Sequence, residues 1–246
     1  MNITFLHADE STSRPNEAEV LLYFVDKIGL DHIGMKHGMA EELRALQEKN
    51  VFRAEAGQVY LQRAPQLTTT LSPSFVMWVG LGEKYTLQQL KEAAASAARS
   101  LVPYHFRQIA VLMPAIDRIG TNTDVASAIV EGFLLGSYSP RSFASSETED
   151  VTFEQLVLIS ERSLGHQEKT QLENTIKQVQ MVAAATNQAR DWINAPGNRL
   201  TPQIFAEEAI HIARDYGLDY EVIQGQDLLN NRLYGLHHVG KGSENP

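Results

Sequence analysis

Short apolar runs alternate with helical patterns over residues 1–165, and this alternation restricts the fold more than any other feature of the sequence. Continuous apolar runs, typical of strands buried on both faces, occupy 20–25, 75–81, 109–113 and 156–159. Shorter runs that predict further strands occupy 3–8 and 58–63, and helical patterns occupy 39–47, 86–101 and 124–136. Strands that alternate with helices form a mostly parallel sheet. The predicted fold class is therefore α/β, with three layers and helices on both faces of the sheet.

A long helix without glycine or proline is predicted over 167–193, where apolar residues recur near helical spacing. A helix of this length spans ~40 Å, which suits a connection between two domains. We therefore divide the chain into an N-terminal domain at 1–165, a linker helix at 166–193 and the start of a second domain at 194–246.

The second domain opens with strong local signals. Thr201 is a favourable N-cap, Pro202 occupies the first helical position, and Gly217 is typical of a helix end. Strands are predicted at 220–223 and 236–239, and a short helix at 226–233 lies between them.

These elements would form only an incomplete second α/β domain. Residues 218–246 would then expose unpaired strand edges and apolar faces. We expect this tail to be mobile or prone to aggregation, and we expect 1–165 to fold by itself.

Composition narrows the classes of function. The net charge of −9 argues against a nucleic-acid partner. The chain has no cysteine, which rules out disulfides, thiolate nucleophiles and cysteine-ligated zinc. No apolar run approaches the ~20 residues of a membrane helix. We expect a cytoplasmic protein that does not insert into membranes.

Several spaced motifs resemble those of the leucyl (cytosol) aminopeptidase family. Residues 189–209, ARDWINAPGNRLTPQIFAEEA, resemble the segment by which that family enters its catalytic domain, and 239–246 resembles its Val-Gly-x-Gly-Ser tract. Residues 52–57, 79–82 and 131–138 are similar to motifs of the family's N-terminal domain. The resemblance implies a macro-like lobe, followed by the first part of a catalytic domain.

The resemblance also implies a function: a two-metal exopeptidase that removes N-terminal amino acids from peptides, with two zinc or manganese ions. The family's ligands and catalytic residues lie downstream of the tract at 239–246, so no catalytic, cofactor or metal residue is carried over. We expect the chain alone to bind no cofactor and to be inactive. The family assembles as a hexamer, mainly through catalytic domains, so we expect this chain alone to be monomeric. The alternative is a non-enzymatic module whose macro-like lobe binds a nucleotide-type ligand, a protein partner or DNA.

Two glycine-containing stretches resemble ligand motifs. Gly80-Leu81-Gly82 lies between a strand and a helix, where phosphates are often bound, but Tyr85 replaces the third glycine of a dinucleotide fingerprint. Glycines at a tight turn are the simpler interpretation. Lys241 lies in a Gly-Lys-Gly run that belongs to the Val-Gly-x-Gly-Ser tract, so we do not expect it to bind metal.

Other candidates also have simple structural interpretations. His237 and His238 are adjacent in a predicted strand and would point to opposite faces, so they would not chelate one ion. Ser137 lacks the Gly-x-Ser-x-Gly context of hydrolases and is interpreted as a helix end.

Arg190 and Asp191 are interpreted as an ion pair in domain packing, and Trp192 and Ile193 as core residues. The cluster 104–107 could stack a base, and Asp31 with His32 is assigned to a loop.

Overall fold

The computed structural model describes residues 1–7, 18–27, 39–64, 73–114, 119–140, 153–160 and 163–243. The loop that the sequence predicts at Asp31 and His32 lies outside these residues. The chain divides into two compact units, Met1–Asp191 and Trp192–Pro246.

A six-stranded sheet forms the centre of the first unit. Its strands are β1 (Asn2–His7), β2 (Val20–Asp26), β3 (Val59–Arg63), β4 (Phe75–Gly82), β5 (Gln108–Leu112) and β6 (Gln155–Ser160). Their order is β1-β6-β5-β2-β4-β3, and every neighbouring pair is parallel except β3 with β4. The predicted mostly parallel sheet is confirmed.

Helices cover both faces of this sheet. They are α1 (Met39–Glu48), α2 (Leu87–Leu101), α3 (Asn122–Gly136) and α4 (His166–Asn194). On one face, α1 contributes Leu43 to a core cluster with Trp78 of β4. On the other face, α2, α3 and α4 share a second core cluster, to which α4 contributes Leu172 and Ile176. The predicted three layers are therefore present in the first unit.

Side-chain caps explain where α2 and α3 begin. The Thr86 side chain accepts a hydrogen bond from the backbone of Gln89, whose side chain accepts one from the Thr86 backbone, and this capping box lies at the predicted start of the helix. Thr121 and Asp124 form a second capping box before α3. Reciprocal caps satisfy amides that the first turn of a helix leaves without partners.

Glu19 connects two strands at the amino-terminal edge of the sheet. Its carboxylate accepts hydrogen bonds from the backbone amides of Arg107 and Gln108, directly before and at the start of β5. Its own amide donates to the Gln108 carbonyl. Charged acceptors make stronger hydrogen bonds than neutral ones, so Glu19 fixes where β5 starts beside β2.

The second unit contains α5 (Pro202–Asp215), α6 (Asp227–Asn230) and α7 (Tyr234–Gly240). Thr201 caps α5 by accepting from the Ile204 amide, with Pro202 in the first turn. Gly217 has a φ of +64° just after this helix. The predicted start and end of α5 are confirmed.

The strands predicted in the second unit are wrong. Residues 220–223 have no regular structure, and 236–239 lie in α7. A strand needs hydrogen-bonded neighbours, and the described residues of this unit supply none. The chain satisfies its backbone locally instead: the His237 amide donates to Leu233 at 3.2 Å. Apolar side chains in this tail are nevertheless exposed, as predicted; Leu236 is 63% exposed and Val239 is 83% exposed.

Candidate functional site

Two side chains of α4 cap the carboxyl end of α3. Asn187 Nδ2 donates to the Leu134 carbonyl and Arg190 Nη1 donates to the Leu135 carbonyl, each at 3.0 Å. These carbonyls belong to the last turn of α3, where an α-helix leaves its C=O groups without internal partners. The polar junction between the two helices is therefore a helix cap formed by residues far apart in sequence.

Tyr138 extends the same junction beyond the end of α3. Its hydroxyl donates to Asp191 Oδ1 at 2.9 Å. The guanidinium of Arg190 lies 5.5 Å from the centroid of the Tyr138 ring, within the range of a cation–π contact. Arg190 and Asp191 therefore both contact the end of α3, and the ion pair in domain packing that the sequence suggested stays a prediction.

Close helix packing explains the two glycines of the 131–138 motif. A Cβ built on Gly132 would lie 2.3 Å from the Lys91 carbonyl oxygen, and one on Gly136 would lie 2.4 Å from the Ala95 carbonyl oxygen. Only glycine permits α3 to approach the α2 backbone this closely. Glu131 of the same motif pairs with Lys91 at 3.2 Å. The motif therefore joins α2, α3 and α4.

Gly80, Leu81 and Gly82 are the last residues of β4 and not the tight turn that the sequence suggested, and the amides of both glycines are paired. The Gly80 amide donates to the Gln58 carbonyl at 2.8 Å, and the Gly82 amide donates to the Ala54 carbonyl at 2.9 Å. A Cβ on Gly80 would lie 2.1 Å from the Glu55 carbonyl oxygen. Phosphate binding between a strand and a helix uses unpaired amides, so these two amides do not fit a phosphate site.

Gln58 organises the 52–57 motif, a role that the sequence did not reveal. Its Oε1 accepts from the amides of Arg53 at 2.9 Å and Glu55 at 3.3 Å, and its Nε2 donates to Val51 at 3.4 Å. One amide side chain thereby satisfies backbone groups of an irregular segment. No spacing signal marks Gln58 in advance, because its partners are main-chain atoms.

The histidine pair differs from its predicted conformation. His237 and His238 lie in α7, not in a strand, and their ring centroids are 5.7 Å apart. No group of three or more metal-binding side chains occurs among the described residues. The donors present here therefore do not fit a two-metal centre, and we derive no catalytic step through metal from them. Lys241, at the end of α7, is exposed.

The remaining candidates have structural positions. Ser137 follows α3, and its amide donates to Phe133 at 3.0 Å, which confirms the helix-end interpretation. In the aromatic cluster, Phe106 is buried, while Tyr104 is 59% exposed. The prediction of Ile193 as a core residue is wrong, since it is 82% exposed. Ile193 lies near the end of α4, where no described element of its own unit covers it.

Burial in the first unit raises the pKa of Tyr23. Tyr23 is packed against Trp78 with ring centroids 5.1 Å apart, and desolvation raises the pKa of its hydroxyl far above its usual range. Tyr23 is therefore neutral at ordinary pH. The Trp78 indole nitrogen has no hydrogen-bond partner among the described residues. The described residues on this side of the sheet form an apolar core cluster around Tyr23 and Trp78.

Two family comparisons agree with this architecture. The sequence model of the cytosol aminopeptidase family's N-terminal domain matches residues 34–147, and the model of its catalytic domain matches residues 187–246. The chain belongs to the cytosol aminopeptidase family. Its two matched regions lie on either side of most of α4, and the α3–α4 junction joins residues from both matches.

Curated relatives of this aminopeptidase-family chain are similar at low identity. A probable cytosol aminopeptidase of Clostridium perfringens is 25% identical over 95% of this chain and 46% of its own length. One from Rickettsia felis is 26% identical over 100% of this chain and 48% of its own length. One from Geotalea uraniireducens is 30% identical over 83% of this chain and 40% of its own length. The chain thus spans less than half the length of these relatives.

Solved structures support the same fold. The bottromycin maturation enzyme BotP is similar with a TM-score of 0.68 and 26% identity, over 93% of this chain and 44% of its own. A tomato leucine aminopeptidase mutant has a TM-score of 0.68 and 24% identity, over 88% of this chain and 43% of its own. A further BotP structure, at 24% identity, is a complex with Mn. Among the described residues of our chain, no helix is both long enough and apolar enough to cross a membrane.

Proposed function

We propose that this chain supplies the first unit and the beginning of the catalytic domain of a metal-dependent aminopeptidase that removes N-terminal amino acids from peptides. The observation that carries the proposal is the order of the two family matches, 34–147 and then 187–246. The α3–α4 junction supports the proposal, because Asn187 and Arg190, at the beginning of the second match, donate hydrogen bonds to the last turn of α3, a helix of the first match.

The proposed reaction depends on two divalent ions, zinc or manganese, which would polarise the peptide carbonyl and supply a hydroxide. In the family, the ligands follow the tract that 239–246 resembles. His237 and His238 directly precede that tract, and they belong to no group of three or more metal-binding side chains among the described residues. We therefore propose that residues 1–246 alone do not hydrolyse peptides.

The partners follow from the same proposal. Peptides are the substrates of the whole enzyme, and assembly into a hexamer through catalytic domains is the expected state of that enzyme. The net charge of −9 disfavours nucleic acid as a partner. A cytoplasmic location fits the names of the relatives, which are cytosol aminopeptidases.

Hydrolysis of leucine p-nitroanilide tests the proposal. The 246-residue chain, purified from a host that lacks its own leucyl aminopeptidase, should be inactive with added Mn²⁺ or Zn²⁺. Protein isolated from the source organism with an antibody to 1–191 should be active, should lose activity with a chelator, and should exceed 27.4 kDa. Metal-dependent activity of the 246-residue chain would contradict the proposed inactivity. A native, inactive species of 27.4 kDa would contradict the enzyme assignment.

The same purified chain tests the alternative of a nucleotide-binding module. The amides of Gly80 and Gly82 are already paired, so we expect no heat of binding when ADP-ribose is titrated into the chain. Saturable binding of ADP-ribose would favour the module over the enzyme.

A further inference from the structure

An open strand edge borders a groove in the first unit. β1 is the terminal strand of the sheet, paired with β6 on one side and with no other strand among the described residues. The groove has a volume of about 500 Å³ and is lined by five consecutive β1 residues and by α4. Successive side chains of a strand point to opposite faces, so a lining of consecutive residues means that the groove follows the backbone edge.

Backbone geometry shows which groups face this groove. The Asn2 amide donates to the Glu154 carbonyl, beside β6. Because successive residues of a strand direct their N–H and C=O groups to opposite sides, Ile3 and Phe5 direct theirs outward. Their side chains pack partly against the core cluster on the α4 face. The edge therefore offers donors and acceptors beside an apolar strip, which is the arrangement that accepts an added strand.

A row of charges on α4 borders the same groove. Lys169, Glu173 and Lys177 recur every four residues and all line it, so they lie about 6 Å apart along one helix face. Glu173 and Lys177 are exposed, and neither forms an ion pair within the part of the chain that the structure describes. If a second copy of α4 lies antiparallel beside the first and is displaced by one helical turn, Glu173 of each helix faces Lys177 of the other.

We propose that this groove binds a second copy of the chain, with β1 paired antiparallel to β1 of that copy. A two-fold axis perpendicular to the sheet keeps both α4 helices on the same face. It also runs them antiparallel, and this brings the self-complementary charge row into register. The contact is isologous, as in most homodimers. This contact differs from assembly through catalytic domains, and it replaces the expectation that the chain alone is monomeric.

Charge reversal tests the proposed contact. Light scattering should give the 246-residue chain a mass twice its 27.4 kDa. The protein concentration should be ~100 µM, which exceeds the micromolar dissociation constants of weaker interfaces. Glu173→Lys and Lys177→Glu each turn both symmetric attractions into repulsions, so each should raise the dissociation constant roughly 10-fold. The double variant restores opposite charges and should return the constant to within about 3-fold of wild type.

A matched control distinguishes this contact from a general charge effect. Glu48→Lys changes the net charge by the same amount as Glu173→Lys. Because Glu48 belongs to α1, on the opposite face of the sheet from α4, dimerisation should be unchanged. Circular dichroism of every variant establishes that it is folded. A monomeric wild type, a dimer insensitive to Glu173→Lys, or a double variant that stays weak would each overturn the proposal.

Hydrogen exchange tests the strand pairing itself. The amides of Ile3 and Phe5 should exchange more slowly at dimer-forming concentrations than in dilute protein, since pairing gives them acceptors. Exchange that is independent of concentration in a dimeric sample would place the interface elsewhere. If the wild type is monomeric and an extended peptide slows exchange at these amides, the groove binds peptides and the proposal is wrong.

Discussion

Replacing Gly132 by alanine tests whether the family motif at the end of α3 serves helix packing. The added Cβ would lie 2.3 Å from the Lys91 carbonyl oxygen and 2.8 Å from the Ala94 Cβ. The nearest atom is backbone, so relief requires α2 and α3 to separate, and we take the upper end of the overpacking cost, about 3 kcal/mol. Alanine recovers about 1 kcal/mol through its higher helix propensity. The expected net loss is ~2 kcal/mol, equivalent to roughly 4–8 °C in Tm for a unit of this size.

Urea denaturation followed by far-UV circular dichroism measures this loss. Gly235→Ala is the matched control, because Gly235 is also helical and nothing lies within 4 Å of its added Cβ. That control should be neutral or slightly stabilising. An unfolding midpoint for Gly132→Ala at or above the wild-type value would refute the packing argument, since helix propensity would then outweigh the clash.

Three further substitutions test caps and junctions by the same denaturation assay. Thr121→Ala should cost about 1 kcal/mol, because the helix loses its N-cap. Hydrogen bonds from Thr121 lower the pKa of Asp124 below its usual 3.8, so the stabilisation by these bonds is present above pH 3.8 and is lost as the pH falls below that value. The Thr121→Ala variant lacks these bonds and should therefore lose less stability than the wild type over the same fall in pH. In a double-mutant cycle, the stability losses of Tyr138→Phe and Asp191→Asn should deviate from additivity by about 1 kcal/mol. Additive losses would show that the hydrogen bond between Tyr138 and Asp191 does not stabilise the fold. Glu19→Gln should cost about 1 kcal/mol, because a neutral amide accepts more weakly from the two amides at the start of β5; unchanged stability would contradict its role there.

Local signals predicted most of the first unit. Buried strands such as β2 and β4 read as continuous apolar runs because helices cover both faces of the sheet. The α2 start was predictable because both partners of the capping box lie within one helical turn of each other. In both cases the sequence carries the cause of the structure within a few residues.

Non-local contacts were not predictable in the same way. Tyr138 meets Asp191 across 53 positions, and no periodicity connects them. Gln58 stabilises the 52–57 motif through main-chain atoms, which leave no mark in the sequence. The strand expected at 236–239 failed for the opposite reason: its apolar residues match a strand pattern, but strand formation depends on neighbours that the second unit's described residues do not provide.

Four residues of the family-like motifs lie where backbones approach closely or where helix carbonyls lack partners. Gly80 lies against the 54–55 backbone, Gly132 and Gly136 lie against α2, and Arg190 caps α3. Each is restricted by sterics or by unpaired backbone groups, and such restrictions act on any protein that keeps this fold, whatever its substrate. Substitutions at these residues should therefore change stability before they change specificity. The motifs of the first unit identify the scaffold, and the chemistry of the proposed aminopeptidase has to be sought in groups that bind metal and peptide.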